Sequence, residues 1–321
     1  MRRLALCLAV TAAVLVAAPA ALADGGPFFV YQGGAGVANH DGRFHYVAIS
    51  AGNASTTLER IQVDGGRVNS WVPLKGSWGT PMIGTTVQTG QGLSRDGHTL
   101  VLASTAALGS PSRFLVVDTR HMRVLRTIVL HGSFSFDALS PNGSRLYLIQ
   151  YLQASSGDLT HYIVRDYDIR TNRLLSGKIV DRTEDEKTMA GTALTRTTSA
   201  GGRWVYTLYE KPSGEPFIHA LDAVGAAAYC IDLPKNRALY NIVLSLRNGG
   251  RTLAAHWRSG RPWLNVAVGT WRISYPGGFP WAWVAAGIGG GLAFLAAGVL
   301  VLRRRRAEEL EQHPGQELGL A

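Results

Sequence analysis

Cysteine is almost missing from this chain, with two among 321 residues, Cys7 and Cys230. Cys7 lies in a leader expected to be removed, and in LALC it stands too near the start to make a lipoprotein box. Cys230 is then alone, so no intrachain disulfide can form. In the apolar run AAAYCIDL it reads as a small buried hydrophobe. Lysine is scarce as well, five residues against 27 arginines; with abundant alanine and glycine, this reads as the coding bias of a GC-rich bacterial genome rather than as mechanism. There is no HExxH, no paired CxxC, no P-loop and no GxSxG, so no catalytic residue, metal site or cofactor is assigned.

The two ends carry targeting signals instead. Arg2 and Arg3 precede an apolar run, Leu4 to Ala18, and Ala21-Leu22-Ala23 forms a small-x-small cleavage site. Residues 1–23 therefore read as a signal peptide, and the mature chain is expected to start at Asp24. Near the other end, Trp281 to Leu302 is a run of 22 residues without charge. As a helix it would reach about 33 Å, enough for a hydrocarbon core of about 30 Å. Arg303 to Arg306 follow as a basic stop, which puts the tail 303–321 in the cytoplasm. Gly287 and Gly291, four apart, give the span a smooth patch where a second helix could approach. The organisation expected is an exported domain over 24–276, a linker over 277–280, a span over 281–302 and a tail too short for a catalytic domain. Any signal crossing the membrane would need a partner.

The exported part carries about eight net positive charges once the charges of the leader and tail are set aside. Its arginines are scattered through turns rather than clustered, so they read as a solvated surface, with contact to anionic lipid headgroups or cell-wall polymers as the alternative. Scatter and export together argue against a nucleic-acid partner.

The domain repeats itself. GLSRDGHTLVLAS, a break and RFLVVDTRHMRVLRTIVL are followed by ALSPNGSRLYLIQY, a longer break and HYIVRDYDIRTNRLLSGKIV. Each copy holds four apolar runs and a tight turn, the content of one propeller blade. Five such turns occur, at Asp41-Gly42, Asp96-Gly97, Asn142-Gly143, Gly201-Gly202 and Gly249-Gly250. These pairs suit hairpins that need positive φ. In four repeats the third run ends in an aspartate, Asp64, Asp118, Asp168 and Asp222, 20 to 25 residues after the turn glycine. Four acids at equivalent places in separate blades cannot converge on one substrate, so they read as turn caps. The fifth repeat, VAVGTWRI, lacks the acid and runs out before a good fourth strand. PFFVYQ, residues 27–32, is a spare β-like segment, expected to complete the last blade and close the ring.

On LSPNGSRLYLIQ and FLVVDTRHMRVLRTI the chain resembles the YVTN family of β-propellers, and more loosely the TolB-like and WD-repeat propellers. The likeness covers most of Gly36 to Ile273. It implies an all-β fold of about five four-stranded blades, or six or seven, since the family often has seven. It implies little about function, because such propellers include binding proteins, assembly factors and a few enzymes.

In such a fold the strand before each turn lines the central channel. Polar residues on these strands are the candidates for a ligand site: Gln88, Ser135, Asp137, Arg196 and Asn241. His131, His161, Asp137 and Asp158 lie close in sequence and could serve a metal-dependent propeller hydrolase. The acidic stretch Asp181, Glu184, Asp185 and Glu186 reads as a solvated loop, with a cation or partner contact as the sharper alternative. The expectation is a membrane-anchored extracytoplasmic propeller that binds or scaffolds a protein, peptide or envelope ligand; the alternative is a hydrolase of the lactonase kind.

Overall fold

The computed structural model describes residues 28–83, 89–106, 111–152, 161–184 and 188–276. The expected leader, linker, span and tail lie outside them, as do Gln88, Asp158, Asp185 and Glu186. Among the described residues there is no α-helix, and none long and apolar enough to cross a membrane.

Strand β1 is Phe28–Tyr31. The first blade holds β2 (Val37–Ala38), β3 (Phe44–Gly52), β4 (Ser55–Gln62) and β5 (Val68–Lys75). The second holds β6 (Trp78–Ile83), β7 (Thr89–Gly90), β8 (Thr99–Ser104), β9 (Ser112–Asp118) and β10 (Arg123–Leu130). In the third, β11 (Phe134–Leu139), β12 (Arg145–Tyr151), β13 (His161–Asp168) and β14 (Arg173–Ile179) pair in order, and β15 (Met189–Ala190) adds to the start of β13. The fourth is β16 (Thr192–Thr198), β17 (Trp204–Glu210), β18 (Pro216–Asp222) and β19 (Ala227–Asp232). The fifth is β20 (Ile242–Arg247), β21 (Thr252–Trp257), β22 (Pro262–Ala267) and β23 (Ile273–Ser274). Every pairing is antiparallel, and within the blades most join sequence neighbours, as short hairpins dictate.

The first hairpin of each of the first four blades is built alike, while the fifth turns through a 3-10 element at Asn248–Gly250. Gly42, Gly97, Gly143 and Gly202 take φ of 66 to 74°, a region open to glycine because it has no Cβ. Each donates its N–H to the carbonyl three residues back, on Asn39, Ser94, Ser140 and Ser199. The side chains of those four residues then accept the N–H five residues on, at 2.9 Å in every case: Phe44, Thr99, Arg145 and Trp204. The second hairpin is capped by the repeated acid. Asp118, Asp168 and Asp222 each accept the two N–H groups that follow at a distance of two and three residues. The fourth residue after each, Met122, Asn172 or Ala226, has positive φ. Trp271 has the same conformation after Ala267, so the fifth blade makes this turn without the acid. Asp64 differs, lying in a short 3-10 turn with no side-chain cap.

Apolar side chains fill the seams between successive blades. Leu58, Leu74, Leu100 and Leu115 join the first to the second, and Phe114, Phe136, Leu146 and Leu148 the second to the third. Tyr147, Ile149, Val205 and Leu221 join the third to the fourth, and Leu208, Ile218, Leu253 and Leu264 the fourth to the fifth. Between the first two blades the inner strands pack backbone to backbone: a Cβ on Gly90 would come within 2.1 Å of the Gly36 carbonyl oxygen.

The amino-terminal segment does not close the ring. β1 pairs with β6 of the second blade, Phe29 opposite Met82 and Tyr31 opposite Thr80. β6 needs this partner because it pairs with β8 only at Trp78 and Gly79 before diverging, which opens its other residues to β1 and β7. The last blade supplies its own fourth strand, the two-residue β23.

Candidate functional site

Asp137 on β11 and Arg196 on β16 each stand six residues before their turn glycines, Gly143 and Gly202. Equivalent positions of neighbouring inner strands face each other, and these two meet. Arg196 Nη2 donates to Asp137 Oδ1 at 2.5 Å, Nη1 to the Asp137 carbonyl, and Nε to Thr207 Oγ1 at 2.8 Å. The two side chains keep 3% and 1% of their exposure, for the arginine and the aspartate respectively. Charges this deep are tolerable only when paired and bonded.

Other polar groups line the same seam between the third and fourth blades. Ser135 Oγ shares a hydrogen bond of 3.1 Å with Tyr151 Oη. The rings of Tyr151, Tyr162 and Tyr209 follow one another at 6.4 and 5.9 Å, and the Tyr209 ring stands edge-on to His219 at 6.3 Å. Tyr147 Oη crosses the seam to donate to the Ala223 carbonyl at 3.1 Å. His219 is fully enclosed on β18, and neither ring nitrogen has a hydrogen-bond partner among the described residues; the same holds for Asp137 Oδ2. Burial drives the His219 imidazole down to about 4, Arg196 adding to the depression while Asp137 and Asp181 oppose it.

This seam opens into a recess of about 480 Å³, lined by His161 and residues 180–184 and 188–190 on one side and by the 211–213 turn, β18 and β19 on the other. Met189 and Phe217 form an apolar floor; His161, Asp181, Glu184, Lys211 and Asp232 line it with charge. Asp181 is buried: its Oδ1 accepts from the Thr183 N–H and hydroxyl, and its Oδ2 takes the Cys230 N–H at 2.7 Å. It thus ties the third blade's last loop to β19, whereas Glu184 stays exposed. Lys211 pairs with Asp232 at 2.9 Å. Burial, then Asp181, Glu184 and Asp232, push the Cys230 thiol up to about 12, which keeps it protonated and a poor nucleophile.

Of the channel candidates, the structure joins Asp137 to Arg196 and sets Ser135 on the same strand as Asp137. Asn241 lies apart and exposed, on a 3-10 turn before β20, its carbonyl accepting the Arg258 N–H at 2.9 Å. Gln88 lies outside the described residues. His161 lines the recess, while His131 is exposed on the loop before β11 and Asp137 is buried toward the channel. Among the described residues no group of three His, Cys, Asp or Glu side chains could hold a metal ion. Sequence reasoning missed His219 and the recess. The signal for His219 was a lone histidine in the apolar run PFIHALD, which the repeat aligns with the core strands of the other blades.

Five successive antiparallel sheets of four to six strands, joined by apolar seams and with one turn pattern repeated in the first four, define a β-propeller. No protein-family model matches the chain, and no curated protein matches it either. Solved structures do. The β-propeller domain of Cps50 (Swd1) from Myceliophteria thermophila is 14% identical with a TM-score of 0.42, over 71% of this chain and 65% of that one. A TolB from Agrobacterium tumefaciens is 13% identical with a TM-score of 0.42, over 77% of this chain and 79% of that one. Kuenenia stuttgartiensis hydrazine synthase is 14% identical with a TM-score of 0.38, over 73% and 74%. The chain spans just under two thirds of the length of the Swd1 domain, and the propeller fold rests on its own sheet topology.

Proposed function

We propose that this chain is a YVTN-type propeller, held outside the cell membrane by residues 281–302, that binds a protein, peptide or envelope ligand without consuming it. The observation that carries this is the recess of about 480 Å³ at the third-to-fourth seam. It falls in the size range of ligand sites, about 300–1,000 Å³, and combines an apolar floor with a charged rim. Its cysteine is held protonated. The buried Asp137–Arg196 pair behind it satisfies its own charge and ties two blades together, so we assign it to the frame that shapes the recess. The uncharged stretch 281–302 and Arg303 to Arg306 support the anchor, with the tail inside the cell.

Two measurements test this. Protease added to intact spheroplasts should digest the domain and leave a small membrane-bound stub; full protection would sink the topology. Cross-linking of envelope components to the domain should fall about tenfold or more when Glu184→Arg and Asp232→Arg reverse the rim charge, with unfolding unchanged. Turnover of a lactone or ester by the purified domain, abolished by these substitutions, would establish the hydrolase alternative instead.

A further inference from the structure

Strands within a blade alternate in direction, so the first and third turns of every blade emerge on one face of the propeller and the remaining loops on the other. Several of the arginines scattered along the sequence lie in those turns, and folding gathers them, whereas Arg60, Arg165, Arg258 and Arg261 lie elsewhere. Arg43, Arg120, Arg170, Arg203 and Arg251, one from each blade, are exposed on this face, and Arg247 at the end of β20 is exposed beside Arg251. Acids share it: Asp41 pairs with Arg43 at 2.9 Å and Asp222 with Arg203 at 2.7 Å, while Asp118, Asp168 and Asp222 also cap backbone N–H groups. At the fourth-to-fifth seam the same face carries Trp204, Tyr229 and Trp271, half-buried, with ring centroids 5.2 to 6.0 Å apart. The Arg203 guanidinium lies 5.7 Å over the Trp204 ring.

The place where the chain leaves the domain completes the picture. β23 follows directly on a turn of this face and contributes two residues, about 7 Å of strand, before Tyr275 and Pro276. The residues from 275 to 280 span at most about 20 Å, a length that can return the chain from the end of β23 to this face. We propose that the arginine face docks on anionic phospholipid headgroups, with guanidinium groups on phosphates and the Trp204–Trp271 cluster at headgroup level. This rests on the membrane-anchor reading and adds an orientation: the recess, on the side of the remaining loops, points away from the bilayer.

The test uses the full chain, with Cys230→Ser, carrying a fluorophore at Thr171→Cys on the arginine face or at Ser213→Cys on the opposite one. It is reconstituted in vesicles of phosphatidylcholine alone or mixed with phosphatidylglycerol, with a headgroup-labelled quencher lipid. The label at 171 should be quenched more than that at 213 when phosphatidylglycerol is present. The difference should collapse in high salt, in phosphatidylcholine alone, and in the variant Arg170→Gln, Arg247→Gln, Arg251→Gln. Each arginine removed should lower headgroup partitioning about fivefold. The salt response of the parent chain carries the test if that variant fails to fold. Equal quenching at both labels, or no response to lipid charge, overturns the proposal. Alkaline carbonate wash judges the anchor separately: a chain stripped from vesicles that still shows charge-dependent quenching at 171 refutes the anchor and upholds the face.

Discussion

The seam between the second and third blades is closed by Phe114, Phe134, Phe136, Leu146 and Leu148, all deeply buried. One blade further on, Asp137, Arg196, His219 and three tyrosines are set among Ile149, Val205 and Leu221. The first seam gains by area: each large apolar side chain contributes about 1.5–3 kcal/mol on burial, with little regard to direction. The second holds a buried ion pair that is costly to separate, so it favours the alignment of the two blades in which Asp137 meets Arg196. The recess opens on the aligned seam. A binding site assembled across two blades needs those blades held in fixed register, and the paired charges provide it.

Breaking the charged seam should have the largest effect. Asp137→Ala leaves the Arg196 guanidinium buried without its acid, and a loss of about 3–5 kcal/mol is expected in urea unfolding. Replacing both, Asp137→Leu with Arg196→Met, should recover most of it. A double variant as unstable as the single one would show that the pair is irreplaceable by packing. In the apolar seam Leu148→Ala should cost about 2–5 kcal/mol with no comparable rescue by a neighbour.

The acid response sharpens the same contrast. In the folded chain His219 titrates near 4, against 6.5 for the free side chain. Between these values the unfolded chain binds a proton that the folded one refuses, so stability falls as pH drops from about 6.5 to about 4 and levels off below. At about 1.36 kcal/mol per unit the loss approaches 3 kcal/mol. His219→Phe should flatten this window in unfolding curves measured across it; an unchanged slope would place the titration elsewhere.

The smallest effect concerns the hairpins that the first four blades share. Ser140→Ala removes the bond to the Arg145 N–H and should cost about 0.5–1.5 kcal/mol, and Ser94→Ala in the second blade should match it. Unequal costs would mean that the turns are less alike than their geometry.

Much of this was legible in the chain. The turn glycines marked five blades because positive φ is a local demand, and the aspartates of the second, third and fourth blades read correctly as caps for the same reason. The pairing of Asp137 with Arg196 was implicit in their separation of 59 residues, which equals the spacing between Gly143 and Gly202. Three things were not legible. The partner of β1 depends on where β6 diverges from β8, a tertiary event with no local mark. Asp181 looked like part of a solvated acidic loop because its partner, the Cys230 N–H, is 49 residues away. The arginine face is invisible in one dimension, since turns far apart in sequence become neighbours only when the blades stack.

β1 lies in the second blade, and the fifth blade ends in a strand held by two residue pairs, Asn265 with Ser274 and Val266 with Ile273. If the membrane holds the chain from beyond Pro276, any pull on the domain is delivered there. Such a load opens an antiparallel pair one bond at a time rather than shearing all its bonds at once, so the outer strand of the fifth blade is the mechanical fuse of the molecule. Under tension it should peel first and lengthen the tether, while the third and fourth blades, held by longer strand pairings, keep their packing.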